Sequence, residues 1–215
     1  CILDADNDII RLTGETADHV ARWKTLEGAL VHEYFMYNWA EGTETIDSYD
    51  PETGAMKFTY HSEYREGGEF WFFNVPEELD APGEYWVDTE NLLMYLYPVD
   101  DDSEAIVSVN YRPESMFTGE MFNVTLENLT LEGSGASIIA PEVAEGLTVR
   151  NCIIRRYEGT GVTVNYANYN NTVYGCEVYN GGVGGIGLGH GGDLLTLTPS
   201  NNVIENNCLH DYAQI

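Results

Sequence analysis

The second half of the chain repeats itself four times, and that repetition restricts the fold more than any other feature. Each copy is a short apolar strand, an Asn or Gly, and a second strand: Val124 to Leu131, Leu147 to Ile154, Asn171 to Val178, and Asn202 to Leu209. Aligned in this way, Leu126, Val149, Val173 and Ile204 fall in one column, and Leu131, Ile154, Val178 and Leu209 in another. Between them run Asn128, Asn151, Gly175 and Asn206, residue types that tolerate the left-handed backbone of a sharp bend. The pattern predicts positive φ at these four positions. It also predicts an interior first column, because a one-residue slip would turn every apolar side chain outward.

From Leu126 to Val149 is 23 residues, from Val149 to Val173 24, and from Val173 to Ile204 31. Such steps lie in the range of solenoid repeats and are too short for a four-stranded propeller blade. A third apolar strand recurs at Ile138-Ile139, Val162-Thr163-Val164 and Ile186-Gly187-Leu188, eight residues beyond the last inward residue each time (131 to 139, 154 to 162, 178 to 186). Three short strands per coil, stacked about 4.8 Å apart, make a parallel β-helix. The Leu-x-x-Leu-x-Leu pattern and the helix of a leucine-rich repeat are missing.

The first half is organised differently. Thr16 to Lys24 reads as one short helix with Thr or Asp near its start. Strand signals follow at 29–37, 45–49, 55–60, 69–74, 84–87 and 92–97. Asp50-Pro51-Glu52-Thr53-Gly54 is a turn with Pro presetting its first residue and Gly free to go left-handed. A second hairpin closes around Asp88-Thr89-Glu90-Asn91. The expected fold class is all-β: an antiparallel β module with one short helix over residues 1–115, preceding or carried by β-helix coils over 116–215.

The chain holds 36 acidic and 9 basic residues, a net charge of −27, with 43% hydrophobic residues, 15 Tyr and 22 Gly. That composition builds a core, which excludes disorder. The charge speaks against nucleic acid and anionic membranes as partners, since both demand basic stripes. No apolar run reaches the roughly 18 residues of a membrane span, and residues 1–215 contain no signal peptide, an absence that says little where both ends look cut. A chain that starts at Cys1 without Met and stops at Ile215 just after a strand is expected to be a fragment, with Ile204 and Leu209 exposed on an uncapped last coil that self-associates or frays.

No motif calls for a cofactor, and the acidic runs admit calcium alone. Asp100-Asp101-Asp102 and Asp4-Ala5-Asp6-Asn7-Asp8 are the candidates, but Ile9 stands where an EF-hand loop has Gly, and no acid closes the loop. Cys152 and Cys176 share an inward column just after the bend, with Cys208 one place on and facing out. Without a Cys-x-x-Cys pair neither zinc nor a disulfide framework is indicated. The sequons at Asn123, Asn128 and Asn170 lie on the coils or beside them. The glycines of 181–192 lack the Lys of a phosphate loop. Phe70-Trp71-Phe72-Phe73 and Tyr85-Trp86 are either sugar-stacking platforms or, as aromatics in strands usually are, core.

Leu79-Asp80-Ala81-Pro82-Gly83-Glu84-Tyr85-Trp86-Val87-Asp88, followed by Leu93-Met94-Tyr95-Leu96-Tyr97-Pro98, resembles a signature of bacterial right-handed parallel β-helix proteins related to glycoside hydrolase family 141, which act on plant cell-wall polysaccharides. Val31 to Ala40 resembles an upstream segment of the same proteins, with departures at Glu33 and Asn38. Gly185 to Asp193 and Asn202 to Asp211 are similar to that family's Gly-rich and Asn-bearing coils. The resemblance spans roughly residues 16–212. It implies a right-handed β-helix, a secreted or cell-surface location, a polysaccharide or oligosaccharide partner, and catalytic carboxylates on coils beyond Ile215, which leaves this chain inactive by itself.

Six residues stand out as substrate-binding candidates. His190 and Asp193 sit where the longest excursion, 189–200, leaves its strand; Asp193 either caps backbone amides of a Gly-rich turn or, with His190, contacts substrate. His210 and Asp211 are expected to leave the last strand toward the same face, as a solvated turn or a substrate contact, in the columns of Arg155-Arg156 and Tyr179-Asn180, which adds Arg156 and Tyr179. A glycosidase needs two carboxylates flanking the scissile bond. A uronate lyase needs a cation and a base, and the coils offer only Arg150, Arg155 and Arg156, with no Lys. A glycoside hydrolase is therefore favoured over a calcium-assisted lyase, with a non-catalytic adhesion or glycan-binding β-helix as the alternative of a different class.

Overall fold

The computed structural model of the chain describes residues 2–4, 9–37, 39–59, 69–99, 107–166 and 168–213. Asp100 to Asp102, and residues 5–8 of the other acidic run, lie outside them. The chain divides into two compact units, 1–105 and 106–215. No helix among the described residues is long and apolar enough to cross a membrane.

The first unit contains β1 (Ile2–Asp4), β2 (Ile9–Arg11), α1 (Glu15–Val20), β3 (Leu30–Tyr37), β4 (Ala40–Asp50), β5 (Ala55–Phe58), β6 (Glu69–Phe73), β7 (Tyr85–Asp88) and β8 (Leu93–Leu96). The first six strands form one antiparallel sheet in the order β1-β2-β5-β4-β3-β6, and β7 pairs with β8. The 50–54 turn joins β4 to β5 as its residue types demand. Asp50 Oδ1 accepts the Glu52 amide at 2.9 Å, Asp50 Oδ2 accepts the Thr53 hydroxyl at 2.6 Å, and Gly54 takes φ 70°. A Cβ on Gly54 would sit 2.3 Å from the Leu12 carbonyl oxygen, so only Gly fits. The helix is shorter than expected: it opens after Gly14 with no side-chain cap and ends at Val20, rather than running from Thr16 to Lys24. The strands β1 and β2 are additions to the expected set.

One face of the six-stranded sheet buries Val31 and Ile46, against which Phe70 and Phe72 pack, together with Ile10, Met56 and Val20 of the helix. Trp71, between those two phenylalanines, alternates to the opposite face and is 41% exposed, so the expectation that this aromatic run fills a core holds for Phe70 and Phe72 and fails for Trp71.

The second unit is a parallel β-helix. Its first coil carries β9 (Glu120–Phe122), β10 (Thr125–Glu127) and β11 (Thr130–Ser134). The second carries β12 (Val143–Glu145), β13 (Thr148–Arg150), β14 (Ile153–Tyr157) and β15 (Thr160–Val164). The third carries β16 (Asn168–Tyr169), β17 (Thr172–Tyr174), β18 (Glu177–Gly181) and β19 (Gly184–Leu188), and the fourth β20 (Val203–Glu205) and β21 (Cys208–His210). Stacking yields sheets β10-β13-β17-β20, β11-β14-β18-β21, β16-β12-β9 and β15-β19. A full coil thus has four strands where the sequence suggested three. The extra run is β9, β12 and β16, which places only Met121, Ala144 and Asn168 inward.

The registers match the repeat residue for residue: Leu126 to Val149 to Val173 to Ile204, and Leu131 to Ile154 to Val178 to Leu209. Val149, Ile154, Val173 and Val178 are at most 1% exposed, and each such side chain contributes about 1.5–3 kcal/mol by leaving water. Burial falls away in the last coil, where Ile204 is 49% and Leu209 39% exposed. Cys152 and Cys176 are buried in the same interior and Cys208 is exposed.

Positive φ occurs at the anticipated bends, Asn128 (55°), Asn151 (52°), Gly175 (64°) and Asn206 (55°). Two further columns, five residues to either side, share it. Asn123, Gly146, Asn170 and Asn201 precede the first strand of each repeat, and Gly133, Arg156, Asn180 and Asp211 interrupt or follow the second. Buried asparagines then satisfy the backbone groups these bends leave behind. Asn171 Oδ1 accepts the Leu147 amide at 2.9 Å while its Nδ2 donates to the Ala144 carbonyl, and Asn202 Oδ1 accepts the Asn171 amide at 3.0 Å.

Candidate functional site

Parallel stacking without offset sets one outward residue per coil in line. On the sheet β11-β14-β18-β21 the line is Glu132, Arg155, Tyr179, His210, each next to the buried Leu131, Ile154, Val178 or the half-exposed Leu209. The four side chains touch in sequence. Arg155 Nε donates to Glu132 Oε2 at 2.5 Å, Arg155 Nη1 donates to the Tyr179 hydroxyl at 2.9 Å, and the guanidinium lies 6.0 Å from the Tyr179 ring centroid. The Tyr179 and His210 rings stack at 4.9 Å and 6°. The Tyr179 hydroxyl, and then Glu132, hold the Arg155 guanidinium above its ordinary pKa.

His210 ends this ladder between two carboxylates, with Nδ1 2.9 Å from Asp211 Oδ2 and Nε2 3.4 Å from Glu177 Oε1. The Asp211 hydrogen bond first, and then the weaker one to Glu177, raise the imidazole pKa. In the protonated ring both nitrogens are donors, which is the form two flanking acceptors favour.

Arg156, Asn180 and Asp211 occupy the positive-φ column beside the ladder (56°, 49° and 49°). Arg156 reaches only to 3.8 Å from Glu132 Oε2, so its charge is not tightly paired. It lines a shallow depression of about 310 Å³ with Tyr157, Glu158, Asn180 and Ser134. The Tyr157 ring lies against the Gly181 backbone, where a Cβ would approach it to 2.3 Å. Its buried hydroxyl has no hydrogen-bond partner, and burial pushes its pKa up to about 12, so the phenol stays neutral.

His190 and Asp193 lie elsewhere, past β19. His190 has φ 49° and stacks on Tyr166 at 5.5 Å and 11°. Asp193 Oδ1 accepts the amides of Leu195 at 2.8 Å and Thr196 at 2.9 Å, bonds that depress its pKa, and Asp193 pairs across the loop with Thr198. That is the turn-closing arrangement. Of the six candidates, then, Tyr179, His210, Asp211 and Arg156 gather around one sheet, whereas His190 and Asp193 belong to a loop off another.

Glu132 and Glu177 were not singled out in the sequence. The register aligns Glu132 with Arg155, Tyr179 and His210 at steps of 23, 24 and 31 residues, but it leaves Glu177 out of that line, and only contacts across the coils give the two glutamates a role. Among the described residues no group of three His, Cys, Asp or Glu side chains comes together as a metal site.

A solenoid of parallel strands with a polar ladder on one outer sheet defines the class: a parallel β-helix protein. The family model for the right-handed β-helix region matches residues 102–214, just over half of the chain, and the chain belongs to that family. Comparison with curated proteins and with solved structures gave no match.

Proposed function

We propose that this protein is a carbohydrate-active β-helix that lays a polysaccharide or oligosaccharide across the Glu132–Arg155–Tyr179–His210 ladder. The family is found in carbohydrate-active, pectate-lyase-like proteins, which supports the broad reading. The observation that carries it is the ladder: hydrogen-bonding and aromatic groups repeated once per coil, about 4.8 Å apart, along an exposed sheet. The resemblance to glycoside hydrolase family 141 supports a hydrolase of bacterial origin, secreted or at the cell surface. Glu177 and Asp211, which flank His210 at 3.4 and 2.9 Å, are the candidate carboxylate pair on this face.

Glycan binding without turnover is the second reading. It is favoured by the engagement of Glu132 with Arg155 and by the shallowness of the face. Calorimetric titration with plant and microbial oligosaccharides, repeated on Tyr179→Ala and Arg155→Ala, tests the binding face; undiminished binding by both variants removes it. Release of reducing ends, lost in Glu177→Gln or Asp211→Asn, supports hydrolysis. An unsaturated, ultraviolet-absorbing product supports a lyase instead, and binding with neither product supports the second reading.

A further inference from the structure

On the open face of the six-stranded sheet, opposite the core, β3, β4 and β6 place His32, Thr43 and Trp71 side by side, with Tyr34 the next outward residue along β3. Trp71 leans over His32 at 4.5 Å and 37° and stands 6.0 Å from the Tyr34 ring. It is nevertheless 41% exposed, so a large part of the indole has no protein partner. Polar groups surround it: the Tyr34 hydroxyl donates to Glu41 Oε2 at 3.3 Å, and Thr43 Oγ1 is 3.1 Å from His32 Nδ1. His32 is only 1% exposed, and its Nε2 has no hydrogen-bond partner, a costly state for a buried polar atom. The β3–β4 hairpin then ends in a second aromatic pair, Tyr37 stacked on Trp39 at 5.0 Å and 22°, 47% and 80% exposed.

We propose that this face is a second glycan-binding surface, distinct from the ladder, and that it takes a neutral oligosaccharide. An exposed indole bordered by the Glu41 carboxylate and the Tyr34 hydroxyl is suited to a sugar ring, which offers an apolar face for stacking and hydroxyls at its edge. Charge decides the class. Residues 1–115 hold 26 acids and 6 bases, and among the described residues no Arg or Lys belongs to the cluster, so a polyuronate is repelled where a neutral glycan is not. Burial lowers the His32 pKa, so the ring beneath Trp71 stays neutral and adds no charge to the face.

Calorimetry tests this on the full chain in a Tyr179→Ala background, so that failure of the ladder reading leaves the comparison intact. The probes are neutral hexasaccharides of glucose, xylose and mannose, and hexagalacturonate. Binding of at least one neutral probe is expected, weakened about tenfold by Trp71→Ala, partly restored by Trp71→Phe, and weakened by Glu41→Gln, which leaves the aromatic packing in place. Failure of every neutral probe to bind overturns the proposal. So does Trp71→Ala binding as tightly as its parent, or hexagalacturonate binding that depends on Trp71.

Discussion

Arg156 is the one residue in its column that does not suit the backbone. The other three are Gly133, Asn180 and Asp211, residue types that visit the left-handed region readily, whereas Arg156 holds φ 56° with a long side chain. A left-handed conformation costs an ordinary L-residue about 1–2 kcal/mol. Its compensation is slight, because the only carboxylate it reaches, Glu132, is 3.8 Å away on an exposed surface and already bonded to Arg155. Arg156→Asn removes the strain without the added unfolded-state entropy of Gly, so it should stabilise the coils by about 1 kcal/mol. The reciprocal change, Asn180→Arg, should cost about as much. Urea denaturation reads both as shifts of the midpoint at constant slope. Strain that persists at a ligand-facing position is the pattern of a functional residue, so Arg156→Asn should also weaken oligosaccharide binding while gaining stability. An Arg156→Asn variant no more stable than the parent, with Asn180→Arg neutral, would refute the account of this column.

Three further outcomes are expected. Asn151→Val places a β-branched residue at φ 52° and should destabilise the coils by about 1–3 kcal/mol in the same urea assay; a neutral result counts against the bend assignment. Gly181→Ala drives a Cβ to 2.3 Å from the Tyr157 ring and should cost about 1–3 kcal/mol, with relief in a Gly181→Ala, Tyr157→Leu double variant. His210, its pKa raised first by Asp211 and then by Glu177, should titrate above 6.5 by NMR and fall back in Asp211→Asn. Because the folded value is the higher one, its contribution to stability is complete below pH 6.5 and is lost as pH rises through the folded pKa.

The register was legible in the sequence because each coil repeats the same inward apolar positions, so Val149 and Val173 announce one another. The strand run of β9, β12 and β16 was not, since its three inward residues are Met121, Ala144 and Asn168. No apolar alternation marks such a run. Asn168 is buried with its amide donating to the Val164 carbonyl four residues back and to the Gly189 carbonyl 21 residues on, the second a partner that arrives only when the coil has closed. In the first unit β2 is only three residues long, too short for an alternating pattern, and of its two partners β1 is equally short and β5 lies more than forty residues away in sequence. Around the site, the columns of Tyr179 and His210 were readable, but Glu132 and Glu177 became meaningful only through the contacts they make across coils.

The asparagine amides point to a consequence for how such a chain comes into being. Asn171 reaches back to Leu147 and Ala144 of the preceding coil, Asn202 accepts from Asn171, and Asn207 answers both the Cys176 amide and the Val173 carbonyl. The second and third coils are therefore each sealed by asparagines of the coil that follows. A polypeptide emerging from its N-terminus carries, at every moment, one newest coil whose inner valences await the chain still to come. There maturation trails synthesis by one repeat, and a lesion in Asn171, Asn202 or Asn207 is felt first in the coil made before it.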